Sequence, residues 1–156
     1  MPMPLAIVDL TSILLVALVF GVYWGPWIAL TRTLGEFGPQ PFLAIVHRLD
    51  RNLGTLMTVL LPLALASLIA VAVLAFAMPL AFWLTVAAFV CLVFTLIVTV
   101  SIEVPIVTRI RGWTLETMPD DWAAQRDRWI SFHLARVIPG AAALLLLAAG
   151  AILPHA

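Results

Sequence analysis

Residues 53–104 read LGTLMTVLLPLALASLIAVAVLAFAMPLAFWLTVAAFVCLVFTLIVTVSIEV, and this stretch decides the fold. Two apolar runs flank Met78-Pro79, and no charged side chain interrupts either one before Glu103. A helix rises about 1.5 Å per residue and needs about 20 apolar residues to cross a bilayer core. Each run is long enough, and so short a break between them forces an antiparallel hairpin. Two further runs of the same kind flank this pair, at 10–31 and 129–153. The sequence therefore predicts an all-α, membrane-spanning, antiparallel four-helix bundle in a single domain, 1–156, with helices at 10–31, 53–77, 80–104 and 129–153.

Composition agrees. Of 156 residues, 64% are hydrophobic and 10% charged, against about 25% charged in a soluble domain. Net charge is zero and lysine is absent, which gives no electrostatic footprint for a nucleic-acid partner. Cys91 is the single cysteine, so no disulfide forms within the chain, and its apolar setting reads as a packed thiol. No Arg precedes the first apolar run, so the basic region of a signal peptide is missing and the first segment is expected to stay in the mature protein.

The connections 32–52 and 105–128 fall on one side of the bundle, because the central hairpin goes out and back between them. Arg32, Arg48, Arg51, Arg109, Arg111, Arg126, Arg128 and Arg136 all lie in or beside these connections. The positive-inside rule then puts both connections in the cytoplasm and both termini outside. For a bacterial source the compartment is the inner membrane.

Local signals refine the ends. Asp9 is placed to cap the first helix. The stretch from Phe42 reads as an amphipathic lead-in continuous with the second helix. Thr117-Met118-Pro119-Asp120 has the form of a capping box, which starts the fourth helix near Met118. Pro26, Pro62 and Pro139 fall inside helices and should kink them. Tyr23, Trp24 and Trp27 around Gly25-Pro26 read as an interfacial belt or as the lining of an aromatic pocket. His155 lies in the tail and carries no role.

Ionisable groups inside a membrane are functional candidates, and here they gather near the Arg-rich end. Trp122, Arg126, Trp129, His133 and Arg136 recur at spacings of four and three, a stripe too polar for lipid that should face the other helices. Its plain reading is packing with snorkelling arginines. His47, Asp50, Arg51, Gly54 and Thr58 share a face of the lead-in, where Gly54 would let a neighbouring helix approach closely. Glu103 ends the third helix and needs a partner, with Arg136, Arg109 and His133 within sequence reach. The plain reading of these groups is salt bridges that fix packing. The sharper one joins His47, Asp50, Glu103 and His133 as ligands of non-haem iron, manganese or zinc, or the two histidines as ligands of a haem. A general acid or base role for one histidine is the third. The residues themselves require no cofactor.

EVPIVTRIRGWTLETMPDDWAAQRDRWISFHLARV, residues 103–137, resembles the C-terminal signature of a family of small four-helix membrane proteins that includes the anthrone oxygenases. The likeness is carried by Glu103-Val104-Pro105-Ile106, Trp113, Pro119-Asp120-Asp121-Trp122, and the set Arg128, Trp129, His133 and Arg136. It departs at Glu103 and Val107, where family members carry Asn. The resemblance implies oxidation of an anthrone-like carbon to a quinone by O₂, with His133 moving the proton, Glu103 orienting it, Arg136 stabilising a phenolate and His47 opposite. The partners implied are the lipid bilayer and a small hydrophobic aromatic ligand. Size and apolar surface equally suit an accessory or assembly subunit of a larger membrane complex, and Gly54 with Gly140-Ala141-Ala142-Ala143 suits a homo-oligomer. A transporter fits less well, since no inverted repeat or midplane acid is evident.

Overall fold

The computed structural model describes residues 3–153. It is an all-helical bundle of four long rods. The first is α1 (Met3–Ala29), followed by a 3₁₀ stretch, Thr31–Glu36. The second joins α2 (Pro39–Leu49) to α3 (Thr55–Leu74) through a π-turn, Asp50–Gly54. The third joins α4 (Pro79–Val98) to α5 (Val104–Arg111) through another π-turn, Thr99–Glu103. The fourth is α6 (Trp122–Ile152). All four rods are long and apolar enough to cross a membrane, and the chain is an integral membrane protein.

Two cores stabilise the bundle. The larger runs through the membrane part and includes Val16, Val19, Leu61, Ala64, Leu68, Ala88, Leu92, Ala143 and Leu147. The smaller one, Leu34, Phe42, Leu43, Val46, Ile106, Ile110 and Trp129, caps the Arg-rich end. The lead-in is thus a working part of the second rod. Its proline-started helix buries Phe42, Leu43 and Val46 and leaves the opposite face to solvent.

Several end signals resolve differently from their sequence reading. α1 begins at Met3, so Asp9 is not a cap. It lies in the second turn, 6% exposed, engaged inside the bundle. The third rod does not stop at 104 but continues through Pro105 to Arg111, because Pro105 sits in the first turn after the π-turn, where a missing N–H costs little. The capping box does not form. The Thr117 hydroxyl accepts from the Thr114 amide (2.9 Å) and the Thr114 hydroxyl accepts from the Thr117 amide (3.2 Å). This closed local turn takes up the Thr117 hydroxyl acceptor and the Thr117 N–H that a capping box would have used, and α6 begins only at Trp122. His155 lies outside the described residues.

Gly140 and Gly150 of α6 serve packing within the chain. A Cβ on Gly140 would stand 3.5 Å from the Phe20 and Tyr23 rings, and one on Gly150 would stand 3.5 Å from Leu84 Cβ. α6 therefore packs closely on α1 and α4. Gly54 has no such role, since the nearest group to a Cβ there is its own helix's Asp50 carboxylate at 3.4 Å. Gly150→Leu should overpack the α4 contact and lower stability by about 1–3 kcal/mol, with Gly150→Ala near neutral. Thermal unfolding in mild detergent checks this, and an undiminished midpoint for the Leu protein would contradict the close packing.

Candidate functional site

The cluster at the centre of the site is built on α6. Trp129, His133 and Arg136 are all buried on its inner face, as the four-and-three spacing requires. Arg136 Nη2 donates to His133 Nδ1 (2.8 Å) and pairs with Glu103 Oε2 at 3.0 Å. Its Nη1 donates to the Thr99 hydroxyl (3.3 Å), and its guanidinium lies 5.0 Å from the centre of the Tyr23 ring. An arginine can only donate, so His133 Nδ1 is an acceptor and Nε2 carries the proton. That N–H donates to the Tyr23 carbonyl (2.9 Å), in the turn that Pro26 loosens by withholding its own N–H.

Both nitrogens of His133 are therefore committed. The order is His133–Arg136–Glu103, with the arginine in the middle, so Glu103 does not orient His133 directly. The π-turn at Thr99–Glu103 puts Glu103 at its inner end, 3% exposed. Wide turns of this kind aim side chains that a regular helix would turn elsewhere, and they recur at functional sites.

The remaining site candidates part company. His47 Nε2–H donates to the Ile110 carbonyl (3.1 Å), in the last turn of α5. It latches the two caps together and is not part of the cavity lining. Asp50 makes a two-pronged pair with Arg111, at 2.6 and 2.8 Å. Among the described residues no three of His, Cys, Asp and Glu stand together as a metal-ligand set, so His47, Asp50, Glu103 and His133 do not converge. Each is drawn off by an arginine or a backbone carbonyl. Replacing His47 by Ala should lower stability by about 1 kcal/mol, the worth of one hydrogen bond, and leave ligand binding at the cavity unchanged. Thermal unfolding and a binding titration on the same sample check both halves.

A cavity of about 280 Å³ opens beside the cluster. Its walls are mostly apolar, with Met57, Leu61, Pro62, Leu96, Val100 and Val107 among them. Its polar border is Tyr23, Glu103, Trp129, His133 and Arg136 at one end, with Asp50 and Arg111 beside them. Four of these residues carry a buried polar atom that completes no hydrogen bond, namely Tyr23 Oη, Glu103 Oε1, Trp129 Nε1 and Arg136 Nε, although the Trp129 indole N–H lies against the Glu103 carboxylate. Such atoms are costly in a low-dielectric interior, and four beside one cavity mark a place where a ligand's own polar groups would fit. Each atom is packed behind the cavity surface, so a ligand reaches it by moving side chains. The sequence leaves Tyr23 open between an interfacial belt and the lining of an aromatic pocket and puts Trp129 on the inward stripe of the fourth helix; both line the cavity.

Fold and site together define an integral membrane four-helix protein with an apolar cavity bordered at one end by a buried Glu–Arg–His relay. Compared with family models, curated proteins and solved structures, the chain matches none of them.

Proposed function

We propose that the chain is a membrane-embedded oxidase of the anthrone-oxygenase type, acting with O₂ on a small lipophilic aromatic compound that carries a hydroxyl or enolisable carbonyl. One observation carries this reading: the Glu103 carboxylate, with the Trp129 indole against it and Oε1 completing no hydrogen bond, stands beside Tyr23 Oη and Arg136 Nε, which complete none either, at the end of an apolar cavity. That is an acceptor for a substrate proton beside donors for the oxyanion left behind.

In an anthrone the methylene carbon loses a proton to Glu103, and the negative charge moves onto the ring oxygen. Trp129 Nε1–H, Tyr23 Oη–H and the Arg136 guanidinium are the donors placed to stabilise it. The carbanion reduces O₂ and bonds to one of its atoms, giving a peroxide. Loss of the second methylene proton breaks the O–O bond, and water leaves. In sum, anthrone and one O₂ give anthraquinone and one water, so carbon is oxidised and dioxygen reduced with no further reductant. His133 is a positioning residue in this scheme, fixing Arg136 from behind. The Arg-rich end faces the cytoplasm, the termini face outward, and the compartment is a bacterial inner membrane.

The test uses purified protein in lipid nanodiscs, with anthrone and O₂ uptake followed together with anthraquinone formation. The expected result is equimolar uptake and product at a rate above spontaneous oxidation in empty nanodiscs. A rate equal to the empty-disc control from folded protein would refute the activity.

A further inference from the structure

We propose that the cavity is filled sideways from the bilayer, through a window between the second and third rods, and that its ligand is a phenolic ring bearing an alkyl tail. The ring sits at the Glu103 end and the tail trails through the window into the lipid. This rests on the cavity reading given above and adds the route and the tail.

The window is framed by the two π-turns. The second and third rods pack together below it, where α3 meets α4, and meet again above it, where α2 meets α5. The Asp50–Arg111 pair and the His47–Ile110 hydrogen bond close that upper meeting. Between these contacts the two π-turns make at most a marginal backbone approach to each other. Gly54, Thr58, Val100 and Val104 line the cavity and are exposed, which places its mouth at this point between the rods. Gly54 contributes no side chain to the opening, and a Cβ added to it would meet only Asp50.

The chemistry along the opening is graded. Asp50, Arg51 and Arg111 stand at its upper edge, and Met57, Leu61, Pro62 and Leu96 follow below. This is the polarity profile of a lipid leaflet from headgroup to acyl chain. A ligand matching it has a polar aromatic head and an apolar tail on the same molecule. The incompletely bonded atoms ask that head for one donor, to the Glu103 carboxylate in place of the Trp129 indole, and one acceptor, for Tyr23 Oη–H and the Arg136 N–H. An alkylated aromatic diol supplies both.

The test measures saturable binding of radiolabelled decylhydroquinone and of tailless hydroquinone, under argon, to full-length protein in nanodiscs, with empty nanodiscs subtracted. Gly54→Trp and Val100→Trp fill the window from its two sides. Each should weaken decylhydroquinone binding at least about tenfold more than it weakens hydroquinone binding, a difference of about 1.4 kcal/mol. Glu103→Gln should weaken both ligands. Gel filtration and thermal unfolding establish that each variant is folded, and the two substitutions lie on different rods, so one misfolded variant leaves the other to decide. Full decylhydroquinone binding by folded plug variants would overturn the window while Glu103→Gln still reports on the ring site. Equal loss of both ligands would mean that the indoles fill the cavity itself, which also overturns it. Absence of saturable binding by the parent protein overturns the proposal outright, whereas anthrone turnover judges the activity separately.

Discussion

The Arg136→Leu protein should be less stable than the parent by about 3–5 kcal/mol, because it leaves the Glu103 carboxylate buried without its counter-charge. Few single substitutions in this chain should cost as much. Glu103 is 3% exposed and Arg136 9%, so water cannot compensate either one. The same change removes the donor to His133 Nδ1 and the donor to Thr99. Replacing both members, Glu103→Leu with Arg136→Leu, removes the charge imbalance and should recover most of the loss. Detergent-denaturation curves of the parent, both single variants and the double variant give the coupling directly. If the double variant is no better than the sum of the singles, the ion pair is not what the site depends on. Arg111→Ala is the internal contrast. That side chain is 58% exposed, and its pair with Asp50 should contribute little to the same curve.

Glu103→Gln should lower anthrone turnover by about 10²–10⁴-fold, the range set by loss of a positioned general base. Glutamine keeps the shape and can still accept from Arg136, so the fold survives while the proton acceptor is gone. Glu103→Asp should retain part of the rate, limited by reach. His133→Gln separates positioning from proton transfer. If His133 only holds Arg136, its effect on rate should be smaller than that of Glu103→Gln and should come with a stability loss. A His133→Gln rate as low as that of Glu103→Gln, in a protein of parental stability, would return the proton-transfer role to the histidine.

The rods and their pairing were legible from residues 53–104 because lipid leaves a chain few choices. Every backbone group must be bonded internally, so long apolar runs become helices. The inner face of α6 was legible too, since Trp129, His133 and Arg136 mark one side at helical spacing. What the sequence hid was competition between local partners. Thr117 has the chemistry of a helix cap, but Thr114 three residues earlier offers it a closed turn. Asp9 has the chemistry of a boundary residue, but the bundle buries it. His47 and Asp50 share a face with the site candidates, yet Ile110 and Arg111 claim them first. No local pattern announces a π-turn, and the cavity owes its opening to two of them.

Those wide turns also set the bookkeeping of insertions and deletions. Along the third rod the buried positions run Ala81, Thr85, Ala88, Leu92, Thr95 and Val98, then skip to Glu103 before resuming at Ile106 and Ile110. The skip is the span of one π-turn, which holds roughly one residue more than an α-turn. The two helices it joins are out of phase in sequence, yet the extra residue held by the π-turn lets them bury one face in space. Deleting a single residue between 99 and 103 would let a regular α-turn replace the π-turn and leave Ile106, Ile110 and Arg111 on their present face, whereas one further insertion would swing them by roughly 100° about the axis. The insertion would cost the cap its apolar side and the Asp50 latch its partner, so chain length in this short stretch is constrained upward far more than downward.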